Sequence, residues 1–157
     1  MPYHCLVVRL FFLYNFGVET EVIPVGWRYY NPNPRGKRVG DCSTRALAKA
    51  VGGDDWYLAF AMQAAEGAVR CDETDADDVW GGVLRRHGWH RYVVPDTLDG
   101  YTVRDFCRDH PVGVFVLCPD RHVVCAADGD WYDTWDSADT VLTYYWAKED
   151  TQDGMEQ

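Results

Sequence analysis

The feature that most constrains this chain is a change of hydrophobic period at Pro111. Before it, apolar residues recur at three- and four-residue spacing; after it, they alternate by two. The spacing predicts helices first and an antiparallel sheet after, an α+β domain with N-terminal helices packed on a C-terminal sheet. With 157 residues and 47% hydrophobic content, the chain is long enough for one domain with its own core.

The first helix is expected in Gly40-Asp41-Cys42-Ser43-Thr44-Arg45-Ala46-Leu47-Ala48-Lys49-Ala50-Val51-Gly52. Ala46, Leu47, Ala50 and Val51 form one apolar stripe, Asp41 or Ser43 can cap the first free amides, and Gly52-Gly53 suits the end. A second helix follows from an Asp54 or Asp55 cap to about Glu66, with Trp56, Phe60 and Ala64 on one face. The acidic segment Asp72–Asp78 opens a third, which runs to Gly88. Thr102 caps a short fourth, Val103–His110. Strands are expected at Val22–Tyr30 (an edge strand, because of Pro24), His90–Val94, Val112–Cys118, His122–Ala127, Trp131–Trp135 and Asp139–Trp146. Asp128-Gly129-Asp130 is the turn of a hairpin. The domain proper spans 27–146, with residues 1–26 as an extension and 147–157 as a polar tail.

Composition narrows the partners. A net charge of −10 argues against nucleic-acid backbone or anionic membrane. The cysteines at 5, 42, 71, 107, 118 and 125 show no CxxC and no stapled framework, so a reducing, cytoplasmic compartment is expected. The apolar run Cys5–Leu13 is interrupted by Arg9 and lacks a basic start and a small-residue cleavage site, so it does not read as a signal peptide. It is also too short to span a bilayer.

Chemistry concentrates at three positions. Cys42 stands at a helix start, where unpaired amides and the helix dipole favour thiolate, the nucleophilic form. His122 follows a turn at a sheet rim, and the hairpin brings Asp133 onto the neighbouring strand between Trp131 and Trp135. A thiol nucleophile needs a base, and the base needs a third group on its other nitrogen to fix its tautomer. Asp136 competes for that third place; strand parity favours Asp133.

Gly40-Asp41-Cys42-Ser43-Thr44-Arg45-Ala46-Leu47-Ala48, with His122-Val123-Val124 and Tyr132-Asp133-Thr134-Trp135-Asp136-Ser137 later, resembles the papain-like cysteine peptidase superfamily. The likeness is strongest to its small bacterial and phage forms, similar to the bacteriocin-processing peptidases, and covers roughly residues 27 to 146. It implies a papain-like fold, Cys42 as nucleophile, His122 as general base and acid, Asp133 as orienting residue, a peptide or protein substrate, and no cofactor or metal. The chain departs from the family at one point. No Gln precedes Cys42, which leaves Asn31 or Asn33, with the Cys42 backbone N–H, as candidate oxyanion donors.

Two other classes stay open beside the hydrolase. One is a catalytically inactive papain-like domain that binds a protein partner. The other is a zinc-binding domain on Cys118, His122 and Cys125, which strand alternation disfavours by sending His122 and Cys125 to opposite faces. Acyl transfer and amidase chemistry use the same three groups as hydrolysis.

Overall fold

The structure, a computed structural model, describes residues 25–148. Its elements in chain order are β1 (Trp27–Tyr29), α1 (Cys42–Ala50), α2 (Trp56–Arg70), α3 (Asp77–Arg86), β2 (Trp89–Val93), α4 (Val103–Asp109), β3 (Val114–Pro119), β4 (Val124–Ala127), β5 (Asp130–Asp133) and β6 (Leu142–Lys148). The class is α+β, as the change of period predicts. The expected strand from Val22 begins outside the described residues and is observed from Trp27; the run Cys5–Leu13 lies wholly outside them.

The sheet is mixed rather than antiparallel. Its strand order is β1-β5-β4-β3-β6-β2, and β1 pairs with β5 in parallel while every other pair is antiparallel. Two of its strands therefore come from the helical half of the chain. Asp130 fixes the parallel edge: its carboxylate accepts from the Gly26 backbone N–H at 2.8 Å and from Arg28 Nε at 2.7 Å. At the other edge β6 runs through Lys148, past the boundary expected at Trp146, because β2 pairs with it along Trp89–Val93.

Helices cover both faces of the sheet. α1, α2 and α3 close one face over a core built from Leu47, Ala59, Trp80, Leu84, Val116, Cys125 and Trp146. α4 closes the other, where Val103, Phe106 and Cys107 pack with Leu117, Val124, Ala126 and Trp131. Strand alternation explains the division: Val116 and Cys125 face α1, while Leu117, Val124 and Ala126 face α4.

Local chemistry sets the element ends. Asp55 caps α2 through the Tyr57 and Leu58 amides, and Thr102 with Asp105 forms a capping box on α4. Asp128 and Gly129 both take positive φ, +50° and +85°, the geometry of a two-residue hairpin turn between β4 and β5. None of the five described cysteines is in a disulfide, and no described helix is long and apolar enough to cross a membrane.

Candidate active site

α1 begins at Cys42, so the thiol stands on the first turn of the helix. Asp41 occupies the N-cap position, but neither it nor Ser43 caps: the helix start has no side-chain cap hydrogen bond. The Asp41 carboxylate is turned instead to Arg45, to Asn33 Nδ2 at 2.7 Å and to Trp56 Nε1 at 2.9 Å. The helix start is thereby left open at Cys42 and Ser43, both of which line a cleft of about 510 Å³. α3 and the loop before it supply Asp75, Asp77 and Trp80 to that cleft, the β3–β4 turn supplies Asp120, Arg121 and His122, and β6 supplies Tyr144.

His122 precedes β4 rather than opening it, in the segment after Arg121, whose φ of +53° turns the chain. Its Nε2 bonds Asp133 Oδ2 at 2.5 Å. That contact leaves Nδ1 as the ring nitrogen for Cys42, which is also a hydrogen-bond partner of His122. Burial pushes the thiol pKa up, but the hydrogen bond and charge of His122, a hydrogen bond from the Val123 backbone and the charge of Arg45 outweigh it, and the net shift is down. Burial pushes the imidazole down, and its bonds to Asp133 and Cys42 reverse that and raise it to about 9. Each shift favours the charged form of its group, and each of the two side chains contributes to the shift of the other.

Asp133 ends β5 at 2% exposure, and both of its carboxylate oxygens accept hydrogen bonds. Oδ2 takes His122 and the Ser137 hydroxyl, the latter at 2.9 Å; Oδ1 takes the Thr134 backbone N–H at 2.7 Å. Arg45 Nη2 lies 3.8 Å from Oδ1. The Trp135 ring sits 5.3 Å from the His122 ring and covers one side of the pair while remaining 46% exposed. The flanking by indoles expected from sequence is thus one-sided, because Trp131 is buried in the core under α4.

The other sequence candidates lie elsewhere. Asp136 accepts from Trp131 Nε1 at 3.1 Å and from the Ala138 backbone N–H at 3.2 Å, which pins the turn after β5. Asn33 donates its amide to Asp41 and lines a second cavity of about 440 Å³ on the far side of Asp41. Asn31 accepts from the Asn33 backbone N–H at 3.2 Å and lines neither cavity. Cys118 and Cys125 are core residues of β3 and β4, apart from the open face of His122. Among the described residues no group of three His, Cys, Asp or Glu side chains is placed to hold a metal ion.

Sequence reasoning missed Arg45, Ser137 and the amide of Thr134. Arg45 stands four residues after Asp41 and three after Cys42, helical spacings that put all three on one side of α1, and that signal was present in the sequence. Comparison with protein-family models, with curated proteins and with solved structures found no match to this chain.

Proposed function

We propose that this protein is a papain-like cysteine hydrolase that cleaves a peptide or isopeptide bond through an acyl-enzyme. One observation carries the reading: His122 is bonded on one nitrogen to the buried Asp133 and on the other side to Cys42, with the thiol lowered and the imidazole raised. The Cys42 thiolate attacks the carbonyl carbon and forms a C–S bond, with the oxyanion facing the open amides at the start of α1. As the C–N bond breaks, His122 gives its proton to the leaving amine. Water, deprotonated by His122, then attacks the thioester; the C–S bond breaks, and a carboxylate and free thiol remain.

The reading is tested by iodoacetamide labelling of the native protein from pH 5 to 8, mapped by mass spectrometry, with His122→Ala alongside. Fast labelling confined to Cys42 at pH 6 and lost in the variant is the expected result. Incubation with a peptide mixture, read as new termini that Cys42→Ser does not produce, tests the hydrolysis itself. Slow labelling spread over exposed cysteines, with no new termini, overturns the reading.

A second reading, an inactive papain-like domain that binds a protein in the cleft, is favoured by one observation. Asn33, one of the two side chains the sequence offers to replace the family's Gln, is bound to Asp41 and lines the other cavity. Fast labelling without any peptide cleavage is the outcome that would select it.

A further inference from the structure

Arg45 is 4% exposed, on a helix whose neighbouring inward positions are Ala46, Leu47 and Ala48. Burying a guanidinium is costly, and an apolar residue at such a place generally leaves a protein as stable or more so. The other buried carboxylate of this fold shows the usual arrangement. Glu66 is paired with Arg70 and Arg86, whose side chains are 37% and 62% exposed and keep contact with water. Arg45 has no such outlet. Its side chain is 5% exposed and is held between two carboxylates, Asp41 at Nη1 and Asp133 at Nη2.

The connections close a ring. Asp41 holds Arg45, Arg45 faces Asp133, Asp133 holds His122, and His122 meets Cys42, which is the next residue after Asp41. Signs alternate along the contacts from Asp41 to Cys42: carboxylate, guanidinium, carboxylate, imidazolium, thiolate; the ring closes only through the peptide bond between Asp41 and Cys42. The planar fork suits this role, since its two terminal nitrogens reach two acceptors at once, as a lysine ammonium on a flexible stem does not.

We infer that Arg45 is the positioning residue of this site: clamped by Asp41, it locks the helix bearing Cys42 to the carboxylate that orients His122. The inference rests on the hydrolase reading above, and Arg45 acts through its neighbours without touching substrate. The groups that face the pair are Arg45 from α1, His122 and the Val123 backbone from the segment before β4, and Asp133, Ser137 and Thr134 around the end of β5. Asp120 and Arg121, both exposed, from the β3–β4 turn, Tyr144 from β6, and Asp75 and Asp77 beside α3 line the cleft, and Cys118 of β3 is buried; Arg45 is the one buried arginine or lysine among the described residues.

The test is the pH profile of Cys42 alkylation in the full-length protein, in wild type, Arg45→Gln and Arg45→Lys, with folding checked by circular dichroism. Removing the cation moves the midpoint in Arg45→Gln up by about half a pH unit, which is about threefold less thiolate at any pH below both midpoints, since His122 and the Val123 backbone supply most of what lowers the thiol. Arg45→Lys returns about half of the shift, since lysine keeps the charge but meets only one of the two carboxylates. A folded Arg45→Gln with the wild-type midpoint overturns the assignment and leaves the hydrolase reading intact. If Arg45→Gln does not fold, Arg45→Lys is decisive alone: a raised midpoint supports the assignment and a wild-type midpoint overturns it. A wild-type protein with no rapidly labelled Cys42 overturns the hydrolase reading and the assignment of Arg45 with it.

Discussion

At the scale of single residues, the arrangement turns on how fully Asp133 is engaged. Three donors converge on its two oxygens and the Arg45 guanidinium lies 3.8 Å away, so an amide in its place sets an N–H against the His122 N–H or against the Thr134 N–H and the Arg45 charge wherever it turns. Asp133→Asn is expected to lower Cys42 labelling and any peptide cleavage by at least on the order of a hundredfold, because His122 loses its fixed tautomer. Asp136→Asn tests the alternative. Its oxygen serves Trp131 and Ala138, and the amide can keep both bonds, so labelling is expected to stay within about twofold of wild type. Equal losses in the two variants would remove Asp133 from its assigned place. Cys42, His122 and Asp133 were legible as types of residue in an order that chemistry requires. Arg45 was less so: in a sequence an arginine on a helix reads as a solvated side chain, and what buries it is a carboxylate far along the chain. Asn31 and Asn33 were misleading for a related reason. Their place before Cys42 was visible, and the capture of Asn33 by Asp41 was not.

At the scale of elements, close approach of α2 and α3 depends on the absence of a side chain at Gly82. A methyl there would lie 2.5 Å from Glu66 Oε1 and 2.9 Å from Arg70 Nε, inside the buried ion cluster that ties the two helices. Gly82→Ala gains helix propensity, yet it must push aside the ends of the Glu66 and Arg70 side chains, in a cluster whose arginines reach water. The net expectation is a loss of about 1 kcal/mol, read from chemical denaturation. Gly26→Ala is the control: its added methyl meets nothing within 4 Å, and stability is expected to stay within about 0.5 kcal/mol. A neutral Gly82→Ala would mean that Glu66 has room to move. Helix and strand positions were largely legible, since caps such as Asp55 and Thr102 and the turn at Asp128-Gly129 are local chemistry. Pairing was not. That β1 lies parallel to β5 follows from Asp130 reaching Gly26 and Arg28, more than a hundred residues earlier, and no local pattern states it. The capping expected of Asp41 failed because three partners outside the helix start compete for its carboxylate.

At the scale of the whole molecule, the site writes itself into stability as a function of pH. Taken alone, His122, raised to about 9, contributes stability that is complete below its ordinary 6.5 and is lost as pH rises through about 9. Taken alone, Cys42, held below its ordinary 9.0, contributes stability that is complete above 9.0 and is lost as pH falls through its folded value. Together the opposite trends cancel over a window. Above pH 6.5, between the folded value of Cys42 and about 9, the unfolded chain holds one proton, on the thiol, and the folded pair holds one, on the imidazole. Equal proton counts give no slope, so wild-type stability is level there as far as this pair decides it. Cys42→Ser breaks the cancellation. Serine does not ionise, and the imidazole raised by Asp133 is left to titrate alone, so the variant is expected to lose on the order of 1–2 kcal/mol relative to wild type as pH rises from 6.5 to 9. Denaturant unfolding of both proteins at pH 6, 7, 8 and 9 measures the difference directly. A gap that widens with pH is the signature of an imidazolium held by Asp133 and waiting for a thiolate. Parallel profiles would mean a neutral imidazole beside an ordinary thiol, a site with the shape of a nucleophile's and without its charge.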